Sequence, residues 1–327
     1  MLPSEKKRQR LIKISAKTNP NYGKSPKDIT ANELLRTGFI NLDKPSGPTS
    51  HQVVAWIKEI LEVEKAGHGG TLDPRVTGVL PVAIGDATRA LQVLLHSGKE
   101  YVALMKLHRK IDQKKIIEVG KDFVKDIYQK PPVKSAVKRV RRKRKIYYLD
   151  MLQIKETEVL FKVGCEAGTY IRTLCVDYGK KLGSGAHLAE LRRTKVGKIY
   201  ESDSKTLQNL KDAYIFWKED GKEDEIKSII QPMEKLLDGI PKIVIRDSAV
   251  DAICHGANLA VQGVVELDSN IKKEDIVSIM TQKGEGVAIA KTLMSTEQMI
   301  QNDKGICASL ERVLMNKGTY PSIWKKS

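Results

Sequence analysis

The spacing of the apolar residues changes at Pro241, and that change limits the chain to two unlike units. Upstream, helical and strand periods alternate. Phe39-Ile40-Asn41-Leu42 reads as a short strand. Thr49 or Ser50 can then cap a helix whose Val53, Val54, Trp56, Ile57, Ile60 and Leu61 follow the 3.6-residue period. A second amphipathic helix is predicted over 87–96, stopping at Gly98. Residues 99–107 alternate as a strand, with Tyr101, Ala103, Met105 and Leu107 on one face. Another strand at 159–165 turns through Glu166-Ala167-Gly168 into a helix from about Thr169, where Ile171, Leu174, Cys175 and Tyr178 form one stripe. A further helix is predicted over 226–237. Downstream of Pro241 the chain switches to short strands at 243–245, 264–267, 276–280 and 287–290 with glycine turns between them, a small and mostly β unit. The first part predicts an α+β (mixed α/β) domain with one extended sheet flanked by helices. The expected division is a polar extension over 1–37, a main domain over 38–240 and a small domain over 241–327.

Charge narrows the class of partner. The chain carries 57 Lys and Arg against 40 Asp and Glu, a net charge of +17, which suits a polyanion. The excess peaks at 138–145, KRVRRKRK, just after Gln129-Lys130-Pro131-Pro132. Proline and the lack of apolar spacing predict an extended, mobile basic loop there, of a kind that grips phosphates by releasing their counterions. No recognition helix or zinc-finger spacing points to DNA. The four cysteines are scattered, without a C-x-x-C pair, so buried thiols in a reducing compartment are expected rather than structural zinc. Apolar runs such as 79–84 fall far short of the roughly 20 residues a membrane span requires. The charged start of the chain predicts no secretory signal. A cytoplasmic protein without membrane contact is expected.

Few residues suggest chemistry by themselves. Asp73 stands before Pro74, which pushes it out of the helical region, and behind two glycines that permit close backbone approach. Such a carboxylate serves as nucleophile or base, or merely closes an Asx-turn. Arg172 would fall in the first turn of its helix, where the macrodipole disfavours a cation, so an acidic partner is expected. Tyr101 fits a core position equally well, and His68 between two glycines fits an ordinary loop. Gly69-Gly70-Thr71 lacks the lysine of a nucleotide-binding loop.

The ordered blocks together are more specific than any of these residues. Leu42-Asp43-Lys44-Pro45-Ser46-Gly47-Pro48-Thr49-Ser50, Gly67-His68-Gly69-Gly70-Thr71-Leu72-Asp73-Pro74, Lys99-Glu100-Tyr101-Val102, Gly168-Thr169-Tyr170-Ile171-Arg172-Thr173-Leu174 and His187-Leu188-Ala189-Glu190-Leu191-Arg192-Arg193 follow one another in this order over about 38–200. The chain resembles the pseudouridine synthases of the tRNA T-loop (TruB/dyskerin) family, and within it the archaeal dyskerin-like subunits of H/ACA ribonucleoproteins. After Pro241 it resembles a PUA domain.

The resemblance implies a mainly antiparallel sheet, a small β-barrel PUA domain that binds RNA, and an N-terminal extension docked on it. By the same resemblance Asp73 is the essential aspartate, Tyr101 the ring that stacks on the target base and Arg172 the partner of Asp73. His68 assists nucleotide flipping, and Lys44, Tyr170 and Leu191 line the pocket. Residues 129–150 match a thumb loop whose Lys138, Arg139, Arg141 and Arg142 would contact substrate. Gly69 departs from relatives that carry Ser or Thr, which would loosen its loop. The implied reaction isomerises uridine to pseudouridine in rRNA under a guide RNA, and at the T-loop uridine of tRNA, with small accessory proteins and no cofactor or metal. The competing reading is a non-catalytic RNA-binding scaffold, in which a carboxylate inside a cationic groove would have no purpose.

Overall fold

The structure, a computed structural model, describes residues 1–131 and 140–322. Among the described residues its larger sheet has ten strands, eight of them in the order Ile230–Pro232, Gly38–Lys44, Thr77–Ile84, Ala186–Val196, Lys99–Leu107, Glu158–Cys165, Arg142–Lys155 and Asp126–Gln129. Two short strands pair off this path, Ala66–His68 with Thr77–Ile84 and Ile199–Tyr200 with Ala186–Val196. All pairs are antiparallel except Thr77–Ile84 with Ala186–Val196, which touch in parallel only at Thr77 with Arg192 and Gly78 with Arg193. That junction needs glycine. Gly78 has φ +100°, and a Cβ there would lie 2.2 Å from the Arg193 carbonyl oxygen.

Two apolar layers hold this sheet. The helix Ser50–Leu61 begins at the capping box of Thr49 and Gln52 and buries Val53, Val54, Ile57 and Leu61. They pack with Leu210, Ala213 and Tyr214 of the helix Leu207–Asp220. The helix Ile171–Leu182 covers the other half, placing Leu174, Cys175 and Tyr178 against Ala103, Met105, Phe161 and Val163. Alternation along Lys99–Leu107 thus selects the face that this helix covers.

The C-terminal domain is a seven-stranded sheet in the order Arg10–Ile12, Val264–Asp268, Lys242–Ile245, Ile276–Thr281, Gly286–Thr292, Ile306–Val313 and Leu259–Ala260. Its first strand comes from the N-terminal extension, with Arg10 opposite Asp268. The same extension also grips the larger domain: Leu2 is fully buried, and Glu5 forms a 2.9 Å ion pair with Lys195. Its last part, the helix Ala31–Thr37, buries Ala31 and Leu34 in the larger domain's core. A third apolar cluster joins Phe39, Val79 and Leu236 to Val244, Met280 and Ile289, so one continuous core spans the boundary near Pro241.

Several expected elements differ. Residues 85–91 form a 3-10 helix before a short α-helix, Gln92–His96, and its first residue, Gly85, takes φ +53° against the Arg36 backbone. Residues 226–237 are not one helix. The helix Glu223–Ile229 gives way to the edge strand Ile230–Pro232, where Pro232 breaks the helical ladder, and then to a 3-10 turn. Trp56, expected on the apolar stripe, is 40% exposed. The basic run is not a free loop over its described part, since Arg142, Lys143, Arg144 and Lys145 pair with Gln129, Tyr128, Ile127 and Asp126. Four consecutive basic residues hid this strand from an apolar pattern, although the opposing strand turns Ile127 and Gln129 inward. Gly69 does not loosen its loop either: its N–H donates to the Pro81 carbonyl at 2.8 Å, and Leu94 fills the space a Cβ would need.

Candidate active site

Asp73 occupies the loop between Ala66–His68 and Thr77–Ile84, and the surrounding backbone is pinned on three sides. The buried Ser50 hydroxyl accepts from the Leu72 N–H at 2.9 Å and donates to its carbonyl at 3.1 Å. The Gly47 N–H donates to the Pro74 carbonyl at 2.9 Å. From beneath, the Lys44 ammonium donates to the carbonyls of Pro45, Pro74 and Val76 at 2.8, 2.9 and 3.0 Å. The Asp73 side chain itself stays 59% exposed, so a rigid loop presents a reachable carboxylate.

Its partner is Arg172, whose Nη2 donates to Asp73 Oδ2 at 2.7 Å. Arg172 is the second residue of the helix Ile171–Leu182. Asp73 is therefore the acidic group that a cation in a first helical turn requires. At 56% and 59% exposure the pair adds only about 0.2–1 kcal/mol to stability, so its consequence is orientation. The helix start is fixed by Gln129, which is buried. Its Oε1 accepts from the Tyr170 N–H at 2.9 Å, and its Nε2 donates to the Tyr170 carbonyl at 3.1 Å.

Asp73, Tyr101, Tyr170, Arg172 and Leu191 line one open cleft of about 470 Å³, together with Lys99 and Arg193. Tyr101 follows a register shift in the pairing with Ala186–Val196, a bulge that re-aims side chains at mid-sheet. Burial pushes its phenol pKa up, so the hydroxyl keeps its proton. Leu191 packs against both main cores and forms the apolar wall.

Other expected positions fall elsewhere. Lys44 does not line the cleft. It is fully buried with its ammonium committed to the three carbonyls, which makes it part of the loop's scaffold and corrects the expectation of a pocket contact. His68 stands behind the loop, edge-on to His51 at 5.1 Å between ring centroids, and its Nδ1 accepts from the Gly70 N–H at 3.4 Å. Burial and His51 lower its pKa, which keeps the ring neutral. Arg141 lies over the Tyr128 ring at 5.1 Å, and Arg142 lines a small side cavity with Gln129, Gly168 and Tyr170. Lys138 and Arg139 lie outside the described residues.

Sequence reasoning missed Lys99, Gln129 and Arg193. Lys99 shares the inward face of its strand with Tyr101 and Ala103, so a lysine at a buried-parity position was the available signal. Its Nζ donates to the carbonyls of Leu94, Ser97 and Leu95 at 2.8, 2.9 and 3.3 Å, and burial pushes its pKa down to about 8. Arg193 is almost fully buried. Its Nε donates to the Val79 carbonyl at 2.7 Å and its Nη2 to the Gly70 carbonyl at 3.0 Å. Burial lowers its pKa, while the neighbouring Tyr101 phenol favours its charge.

A carboxylate–guanidinium pair beside a tyrosine, at the centre of a mixed sheet with a second β domain, agrees with comparisons to known proteins. Residues 58–171 match the N-terminal domain of TruB family pseudouridylate synthases and 172–238 the C-terminal domain of tRNA pseudouridylate synthase B. Residues 241–314 match the PUA domain and 2–54 the DKCLD domain. Fold and site thus define a pseudouridylate synthase bearing a PUA domain. The chain is 54% identical over 325 residues to a probable tRNA pseudouridine synthase B of Methanosarcina barkeri, covering 99% of this chain and 96% of that protein. It superposes with TM-score 0.95 and 53% identity on a chain of a Cbf5-Nop10-Gar1 complex, with 98% of each covered. For a chain of an H/ACA RNP bound to a substrate RNA containing 2'-deoxyuridine the TM-score is 0.93 and the identity 51%, over 99% of this chain and 100% of that one. The chain belongs to the TruB family of pseudouridine synthases. No helix among the described residues is long and apolar enough to cross a membrane.

Proposed function

We propose that this chain isomerises uridine to pseudouridine in rRNA as the guide-dependent catalytic subunit of an H/ACA particle, and also acts on the T-loop uridine of tRNA. The observation that carries the reading is the 2.7 Å Asp73–Arg172 pair at the mouth of a cleft walled by Tyr101, Tyr170 and Leu191. A uridine must leave its stack before its glycosidic bond can be reached, and Tyr101 offers the replacement stacking face. Arg172 holds Asp73 toward the sugar, where the carboxylate starts N1–C1' cleavage. The uracil then turns and rejoins through C5. The 470 Å³ cleft accommodates that rotation.

The likeness to chains solved in a Cbf5-Nop10-Gar1 complex and in an H/ACA RNP supports small accessory proteins and a guide RNA as partners, with the PUA domain and N-terminal extension holding the guide. The basic segment 129–150, including Lys138, Arg139, Arg141 and Arg142, supplies the cations that contact substrate. The enzyme works in the cytoplasm. Reassembly with two guide RNAs of different target complementarity tests this. Pseudouridine mapped by carbodiimide labelling should move with the guide, and modification that ignores the guide would refute the guided reading.

A further inference from the structure

The cleft lining carries one carboxylate, Asp73, against three cations, Lys99, Arg172 and Arg193. Arg172 is matched by Asp73. Lys99 and Arg193 are not matched by any acid among the described residues: their hydrogen bonds go to backbone carbonyls, and Arg193 also meets the Tyr101 phenol. Burying a charge without a counter-ion costs several kcal/mol, and a neutral donor would tie the same carbonyls at lower cost. Both cations flank one ring. Lys99 lies two residues before Tyr101 on the same strand face, and Arg193 is the register partner of Tyr101 on the neighbouring strand.

We infer that Lys99 and Arg193 form a fixed cationic floor that stabilises the negative charge left on the uracil when its bond to C1' breaks. The inference rests on the isomerase reading given above. In the step concerned, the N1–C1' bond breaks heterolytically and its electron pair stays on the uracil, spread over N1 and O2. C1' is left electron-deficient. Asp73 compensates it, by bonding an oxygen to C1' or by taking the 2' proton that it returns later. After the ring turns, C5 bonds to C1', the C5 hydrogen leaves as a proton and N1 gains one. No oxidant or reductant enters, and the nucleotide keeps its composition. Once the target base fills the cleft and displaces its water, positive charge held by rigid carbonyl clamps meets the developing anion without reorganising. Arg193 has a second effect as a positioning residue, since it also fixes the Tyr101 phenol and the Gly70 loop.

The test compares leaving groups. Fluorine at C5 stabilises the departing anion intrinsically, so it should substitute for part of what the floor supplies. Single-turnover rates are measured by mass spectrometry of digested RNA for uridine and 5-fluorouridine targets, using the full chain assembled with guide RNA and accessory proteins. Lys99→Met should slow uridine turnover about 100- to 1,000-fold, the range for losing one preorganised charge-stabilising donor, but 5-fluorouridine consumption only a few-fold. RNA affinity should not change, and Lys99→Arg should keep the wild-type ratio of the two rates. Equal slowing of both substrates would overturn the floor and leave only a structural role.

Should Lys99→Met not fold, the wild-type rate decides. The groups facing Lys99 are Arg193 and the Cys165 thiol, so its charge is lost as pH rises through about 8 and uridine turnover should fall there. A rate flat from pH 7 to 9 would overturn the inference. Wild type that never converts a guided uridine would instead refute the isomerase reading, so the two failures are distinguishable.

Discussion

Replacing Lys44 by Met separates a scaffold from a substrate contact. The ammonium of Lys44 donates to three carbonyls, two of them on either side of Arg75 in the loop that carries Asp73. Hydrogen bonds from a charged group are each worth about 1.5–3 kcal/mol net, so three give a gross loss near 4–9 kcal/mol. Methionine has nearly the same length and shape, and the variant no longer buries a charge, which returns several kcal/mol. The balance is a destabilisation of roughly 2–4 kcal/mol. At about 2–4 °C per kcal/mol for a unit of 150–250 residues, the melting temperature should drop by roughly 5–15 °C. The loop would then sample other positions, and a misplacement of about 1 Å costs on the order of 100-fold in rate. Differential scanning calorimetry, single-turnover kinetics and RNA binding are measured on the same preparation. The expected pattern is lower stability and lower kcat with unchanged RNA affinity. Unchanged stability with weakened RNA binding would refute the reasoning and return Lys44 to the substrate.

Gln129→Ala removes both side-chain bonds to the Tyr170 backbone, so turnover should fall about 10- to 100-fold while calorimetry shows a loss of roughly 1–3 kcal/mol. Gly78→Ala forces a Cβ to within 2.2 Å of the Arg193 carbonyl oxygen at φ +100°, so the variant should be recovered unfolded or with a melting temperature lower by at least about 10 °C. The half-buried His68 has a pKa below its ordinary 6.5, so its contribution to stability is full above that value and is lost as pH falls below it toward the folded-state pKa. His68→Asn should therefore flatten the decline in denaturation midpoint between pH 7.5 and 5.5; an equally steep decline would place the titration elsewhere.

The sequence was informative where apolar spacing and backbone chemistry agree. The helices Ser50–Leu61 and Ile171–Leu182 and the strand Lys99–Leu107 each pack against one side of the sheet, so their stripes are visible in the residues. Arg172 could be flagged because a cation in a first helical turn needs a partner, yet nothing local named Asp73, 99 residues away. Arrangements set by non-local packing stayed hidden. Arg10–Ile12 acquires its strand only by adding to the edge of Val264–Asp268. Arg142–Lys155 begins with a basic ladder that no apolar rule detects. Lys99 and Arg193 look like surface cations until the register places both beside Tyr101. Lys44 lies in a motif that resembles the family's, but only the folded loop gives its ammonium three carbonyls.

The central claim is that Asp73, oriented by Arg172, opens the glycosidic bond of an RNA uridine. Tritium release from RNA carrying uridine tritiated at C5 measures that event directly, because C5 loses its hydrogen only when it bonds to C1'. Wild type and Asp73→Asn are compared on tRNA alone and on rRNA with guide RNA and accessory proteins, alongside RNA affinity. The account predicts release by wild type and none above background by Asp73→Asn, with RNA bound equally by both. Equal release by the two proteins, or tight binding with no release by wild type in any mixture, would contradict it.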